Sequence, residues 1–586
     1  MLEFPVMNKT DAPTNKTKAA SGAHRRLPKA WTVNVAVIAI CIIVLIPLLV
    51  IGIYDRPSAD DFGYSMLTHQ VFQESGGNPL AVLGAAVQTS AHYYNTWQGL
   101  YTSAFLLALQ PGIAGSQFYP IGAYLIIAFI FAMCLYLAYC VERHALHTDT
   151  KLWPAVGCLL ATLFIQCMPY ANEGIYWYNG AANYTPIFFA TFASIGLCIT
   201  ALSVRKRWQR VLAIVAATLV SFVISGGNYM PAFFNLMVMV AFTGIGFLKR
   251  RPALALPLIS SIAGFAISAM APGTAIRQSI LTDMFGHPTV VGTLFHSVYR
   301  ALMDLRLFID LPVIVFLVAM TPLIVLWARR AFRAGIGFSG KVLVLAGIAS
   351  FIFMVGTLCV PFYAAGSFGE GRTRDAAFFV DLTLVAGLYG YAVCLIATRI
   401  DEFAQWADRA VRHLSVPVIC LITVLAVGVI TLYGSSVAGS GNSLIAARSL
   451  ASGEAQQYAA EYDAREAILL AAREGTGEGS GTSTNVGNGQ GAGTSSSASS
   501  GQGAGISSGT ADGQGASSGQ NTSASPSAGN GEATITTLTV RPQLLFFSDV
   551  LRNEDDWSDE LAEYYGLKHV TIIVPEGFDR YVTFDD

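Results

Sequence analysis

What most limits the fold of this chain is a recurrence of apolar runs, each about as long as a bilayer is thick. A helix needs about 20 apolar residues to cross the hydrocarbon core. Runs of that order are read at 32–53, 117–140, 152–169, 184–204, 210–227, 230–248, 253–271, 308–328, 341–361, 376–398 and 414–436. Lipid offers the backbone no hydrogen-bond partner, so such runs resolve as helices. The expected fold is an α-helical polytopic membrane protein with about 11 transmembrane helices. Composition agrees, since 53% of the 586 residues are hydrophobic, 12% are charged and the mean hydropathy is +0.51.

Basic residues orient the spans, because cytoplasmic loops retain Lys and Arg. Arg25-Arg26 with Lys29, Arg205-Lys206-Arg207, Lys249-Arg250-Arg251, Arg329-Arg330 with Arg333, and Arg409 with Arg412 all fall on one side. That side is expected to be cytoplasmic, with the C-terminus outside, and the first span is read as a retained helix. The net charge of −2 gives no reason to expect a nucleic-acid partner. All nine cysteines lie in apolar runs, which argues against a disulfide framework or a zinc site.

Five segments are expected. Residues 1–30 read as a disordered cytoplasmic tail, and 31–437 as the membrane domain with outer loops at 54–116 and 272–307. Within those loops, helical pieces are expected near 60–74 and 80–95, and FHSVYRALMDLRLF as an amphipathic helix on the membrane surface. An extracytoplasmic helix fills 438–474, and a Gly- and Ser-rich insertion that cannot build a core fills 475–533. Residues 534–586 then alternate strand, helix and strand, which predicts a small extracytoplasmic α/β C-terminal cap.

Acidic residues at a membrane boundary face water, a partner or a substrate, because burying them in lipid is costly. Asp60-Asp61, in RPSADDFGYS just after the first span, is therefore the first candidate for chemistry. The competing explanation is a helix start with Ser58 as cap, in which Asn would serve as well as Asp at both positions. In YANEGIYWYNGAANY, expected as an outer loop over 170–184, Glu173 stands beside Tyr176, Trp177, Tyr178 and Asn179. Aromatic faces next to carboxylate and amide groups suit a sugar ring, although Trp and Tyr also gather at any membrane interface. Arg372 and Arg374 in GEGRTRDAAFF, and Arg277 in APGTAIRQ, lie on the outer side against the usual bias. Their guanidinium forks suit phosphate oxygens, and pairing with Glu370 or Asp375 is the structural alternative.

Taken together, ADDFGYS, NEGIYWYNGAANY, APGTAIRQ, the outer arginines and DWSDELAEYYGLKHV resemble a bacterial multi-pass membrane protein family of unknown function grouped with the GT-C glycosyltransferase superfamily. The likeness runs from about 35 to 575, apart from the Gly/Ser insertion. It implies an inverting hexosyl- or pentosyltransferase of the bacterial plasma membrane, with a polyprenyl-phosphate-linked sugar as donor and a cell-envelope glycan or lipid as acceptor. Asp60 or Asp61 would be the catalytic carboxylate and Glu173 an orienting one. Arg372, Arg374 and Arg277 would hold the donor phosphate, and Tyr176, Trp177, Tyr178 and Asn179 the sugar. Some such enzymes use a divalent metal, magnesium or manganese, for which Asp60 and Asp61 would be the ligands. The rival expectation is a transporter or flippase of lipid-linked sugars, weakened by the lack of an internal repeat.

Overall fold

The computed structural model describes residues 29–286, 288–369, 371–399, 415–477, 531–549 and 556–575. The expected tail, most of the Gly/Ser insertion and the side chain of Glu370 lie outside these residues. The first helices are α1 (Ala30–Ile51), α2 (Asp61–Glu74), α3 (Pro79–Thr96), α4 (Tyr101–Leu107), α5 (Ile121–Cys140), α6 (Trp153–Cys167) and α7 (Tyr178–Ser203). Next come α8 (Arg207–Ser225), α9 (Tyr229–Leu248), α10 (Ala255–Ala269), α11 (Pro272–Phe285), α12 (Val290–Phe308), α13 (Leu311–Ala319) and α14 (Thr321–Arg333). The remainder are α15 (Gly340–Ala365), α16 (Arg372–Arg399), α17 (Val416–Tyr433), α18 (Asn442–Ser452), α19 (Glu454–Gly477) and α20 (Asp556–Tyr564). Strands β1 (Glu532–Thr536) and β2 (His569–Ile573) pair in parallel.

The chain is a multi-pass α-helical membrane protein. Among the described residues nine helices are long and apolar enough to cross a bilayer, and α13 with α14 makes a tenth if that pair, bent by 44°, is one span. The eleventh expected run is α6, which has only 15 residues. At about 1.5 Å per residue such a helix falls short of the hydrocarbon thickness. Twelve of its residues are nevertheless buried, so neighbouring helices screen it rather than lipid.

Two boundaries differ from expectation in ways that matter for function. The segment 170–184, expected as an outer loop, is a single wide helical turn over Asn172–Tyr176 followed directly by α7. Asn179 and Asn183 therefore sit one turn apart on a helix. The helix expected at 438–474 is broken at Gly453, whose φ of +81° a side chain would resist, so α18 and α19 diverge there.

A core of phenylalanines fixes the helices that carry the candidate residues. Phe164 of α6, Phe188, Phe189 and Phe192 of α7, Phe234 of α9, and Phe378 and Phe379 of α16 are fully buried and meet mainly edge to face. Such contacts add about 0.5–1.5 kcal/mol per pair beyond area burial. They lock the N-terminal turns of α7 and α16 side by side. The C-terminal β1–α20–β2 unit packs on α19 and lays α20 against α2, with Phe62 edge-on to Tyr564 at 5.2 Å.

Candidate active site

Two residues before α2, Ala59 has a φ of +50°, a region that residues bearing a Cβ rarely enter. This kink sends the two carboxylates that follow it into different surroundings. Asp61 is wholly buried and saturated with donors. Its Oδ2 accepts from the Ser58 backbone N–H at 3.0 Å and from the Tyr119 hydroxyl at 2.6 Å, and its Oδ1 accepts from the Asn179 N–H at 3.1 Å. Ser58, expected to cap the helix with its hydroxyl, is instead held by Asp61 through its own N–H. Burial pushes the Asp61 carboxyl up to about 7, against the pull of its three donors. It ties the start of α2 to α7 and to Tyr119.

Asp60 is half-buried and reaches the other way. Its Oδ1 accepts from the Trp557 indole N–H at 3.2 Å. Its charge also acts on the guanidinium of Arg372, which opens α16. Arg372 Nη1 is 3.0 Å from Glu173 Oε2, and the same oxygen accepts the Arg372 backbone N–H at 3.2 Å. Gly371 makes this possible, because its φ is +54° and a Cβ there would collide with the Glu173 carboxylate. Arg372 further lies 4.6 Å from the ring centre of Trp177, whose plane stacks on Phe547 at 3.4 Å. The structure thus brings together Asp60, Glu173, Arg372 and Trp177, which the sequence offered separately.

Arg277 approaches from α11. It donates to the Gln98 side-chain oxygen, whose amide donates to the Tyr64 hydroxyl at 2.8 Å. Tyr64 stacks on Tyr93 at 4.0 Å and feels both Asp60 and Arg277, so these groups border one polar region. Arg374 does not join it. Its Nη1 bonds the Tyr170 hydroxyl at 3.0 Å, and its charge acts on Asp304 of α12.

The expected sugar-facing aromatics are engaged in packing. Tyr176 is 1% exposed and donates to the Leu48 carbonyl, while Tyr178 donates to the Leu106 carbonyl. Trp177 is 2% exposed and donates to the Ser58 carbonyl. Asn179 differs from them. Its side chain is 4% exposed, yet neither its amide nitrogen nor its oxygen has a partner, and Asn183 Oδ1 one turn on is also unpartnered.

Both Asp61 oxygens are engaged, and among the described residues no three His, Cys, Asp or Glu side chains converge. Several participants escaped the sequence reading. Trp557 and Phe547 come from the C-terminal unit, as does Glu560, whose carboxylate lies where a Cβ on Gly63 would be 2.5 Å away. Asp55, 1% exposed with an unpartnered Oδ2, lies close enough for its charge to act on Tyr119. Its position at the end of the first apolar run was the available signal. In comparisons with known proteins, no family model, curated protein or solved structure matches the chain.

Proposed function

We propose that this protein is a GT-C-type inverting glycosyltransferase that moves a hexose or pentose from a polyprenyl-phosphate donor to a cell-envelope glycan or lipid acceptor. The reaction takes place at the outer face of a bacterial plasma membrane, with the N-terminus inside and the β1–α20–β2 unit outside as a cap. The observation that carries this reading is the division of labour within the acidic pair. Asp61 is committed to three donors, while Asp60, bonded through Oδ1 to Trp557, keeps its other oxygen for chemistry within electrostatic reach of Arg372.

In the reaction, Asp60 accepts the proton of an acceptor hydroxyl as that oxygen attacks the anomeric carbon. The bond from that carbon to the phosphate oxygen breaks, and its electron pair leaves on the lipid phosphate. Arg372, oriented by Glu173 and Trp177, stabilises this developing charge, with Arg277 on the opposite border. The unpartnered Asn179 amide offers one donor and one acceptor to sugar hydroxyls. A buried amide left unpaired costs about 1–3 kcal/mol per polar group, which a bound ring would recover.

The test is a reconstitution. Protein in lipid vesicles is supplied with polyprenyl-phosphate sugars and a glycan acceptor, and products are followed by mass spectrometry. Transfer that disappears in Asp60→Asn supports the reading. Movement of the lipid-linked sugar across the bilayer without transfer would replace it with a flippase.

A further inference from the structure

Helix α12 is built inside out for a surface helix. Its buried positions are Thr293, Ser297, Ala301, Asp304 and Phe308, while Val290, Val291, Phe295 and Tyr299 are more than half exposed. The sequence expectation of a helix lying on the membrane by its apolar face accounts for the exposed side. It does not account for a polar stripe pressed against α15 and α16. Facing that stripe on α16 is Asp381, nine residues into a candidate span and so roughly 13 Å along it.

The charges in this seam do not balance. Asp304 is fully buried and Asp381 is 2% exposed, and each has an Oδ2 with no partner. Arg300 Nε reaches Asp304 Oδ1 at 2.8 Å, and the charges acting on Asp381 are those of Asp304 and Arg300. Arg374 also acts on Asp304, but it is shared with Asp375, which is fully buried and holds the Tyr170 N–H at 2.9 Å. Glu173, on the far side of Asp375, is matched by Arg372. Arg300 and Arg374 therefore face three carboxylates, Asp304, Asp375 and Asp381. Among the described residues one negative charge is left over on buried carboxylates, and an uncompensated buried ion is expelled or neutralised.

We propose that Asp381, buried with an unpartnered oxygen, is held neutral by one proton, making the seam between α12 and α16 a proton-binding site inside the membrane domain that holds α12 in place. Asp381 carries the proton, because Arg300 bonds Asp304 and the Tyr170 backbone N–H bonds Asp375, whose Oδ2 is also unpartnered, whereas no described residue donates to Asp381. The proton cancels the surplus charge. Its loss sets two carboxylates against a single guanidinium and loosens α12, whose outer face, at Val290, Val291, Phe295 and Tyr299, no described residue covers. The site is independent of the transferase reading, since none of its members touches Asp60.

The test uses the full-length protein in lipid nanodiscs at neutral pH, read by infrared difference spectroscopy and by hydrogen exchange. Asp381→Asn is expected to remove one protonated-carboxyl carbonyl band. Asp304→Asn removes the same band, because Asp381 then has Arg300 to itself and ionises. Asp60→Asn leaves it in place whether or not transfer is lost. Exchange of the α12 amides, corrected for intrinsic rate, rises with pH in the unmutated protein and stays flat in Asp381→Asn. A band that persists in Asp381→Asn overturns the proposal. Should that variant fail to fold, persistence of the band in Asp304→Asn does the same.

Discussion

At the start of α2, Asp61 is wholly buried and three donors converge on it; on α16, Asp381 is nearly as deeply buried and none of the described residues donates to it. The two regions show two ways to keep a carboxylate out of water. Around Asp61, backbone N–H groups and a hydroxyl replace the lost solvent, which fixes the group and commits both of its oxygens. In the α12–α16 seam no described residue donates to Asp381, so that group must take up something from outside. A satisfied carboxylate is a fastener, and an unsatisfied one marks a place where a ligand, here a proton, belongs. Asp60 stands between them, with one N–H donor, a nearby guanidinium and access to solvent.

The largest effect that would break this contrast is at Asp60. Asp60→Asn keeps the shape but cannot take a proton, so transfer is expected to fall by about 10²–10⁴-fold, the usual contribution of a positioned general base. Thermal stability should stay within about 0.5 kcal/mol, as for a group away from the packed core. Initial rates and melting curves on the same preparation check both halves. Retained turnover would put the chemistry elsewhere.

Asp61→Asn is expected to do the reverse. Its amide nitrogen must occupy a position where a donor already points, leaving at least one buried N–H or O–H unpaired at a cost of about 1–3 kcal/mol. The expected result is a lower melting temperature, with turnover of the surviving folded protein reduced much less than in Asp60→Asn. Equal stability in the two variants would remove the distinction between fastener and base. A capping role alone predicts that equality, because Asn caps as well as Asp.

The same carboxyl gives a pH dependence whose sign can be worked out. Asp61 is raised from an ordinary 3.8 to about 7 in the folded chain. Between those values the folded state holds a proton that the unfolded state has released, so this group's contribution to stability falls as pH rises through the window. Asp55, pushed up by burial and by the neighbouring Asp61 charge, adds a slope of the same sign. Melting temperatures across about pH 4–7 should decline more steeply in the unmutated protein than in Asp61→Asn. Parallel curves would mean that Asp61 does not titrate there.

Most of the membrane helices were legible in the sequence because hydropathy is additive along a chain and needs no knowledge of neighbours. The exceptions are instructive. A 15-residue α6 reads as a span by composition and is short because other helices bury it. The amphipathic period of α12 was legible, but a period does not say which face turns inward. Asp60 and Asp61 were visible as a pair. What separates them, Tyr119 and Asn179, comes from 58 and 118 residues away. Glu173 and Arg372 were each legible as candidates, yet nothing local shows that residues 199 apart form one ion pair. Asp381 had a signal that was passed over, a lone acid inside the apolar run FFVDLTLVAGL.

The smallest expected effect lies where the C-terminal unit meets the site. Trp557 is 497 residues from Asp60, and its indole N–H is the hydrogen-bond donor that holds that carboxylate in place. Trp557→Phe keeps an aromatic ring between α20 and α2 and removes only this bond. At 3.2 Å, on a half-buried carboxylate, such a bond contributes on the order of 1 kcal/mol. Because 1.4 kcal/mol corresponds to tenfold in rate, turnover should drop about two- to tenfold with little change in melting temperature. A loss as large as that of Asp60→Asn would mean that the indole touches substrate. No loss at all would mean that Asp60 turns away from Trp557 when the acceptor binds, which would put the C-terminal unit outside the reacting geometry.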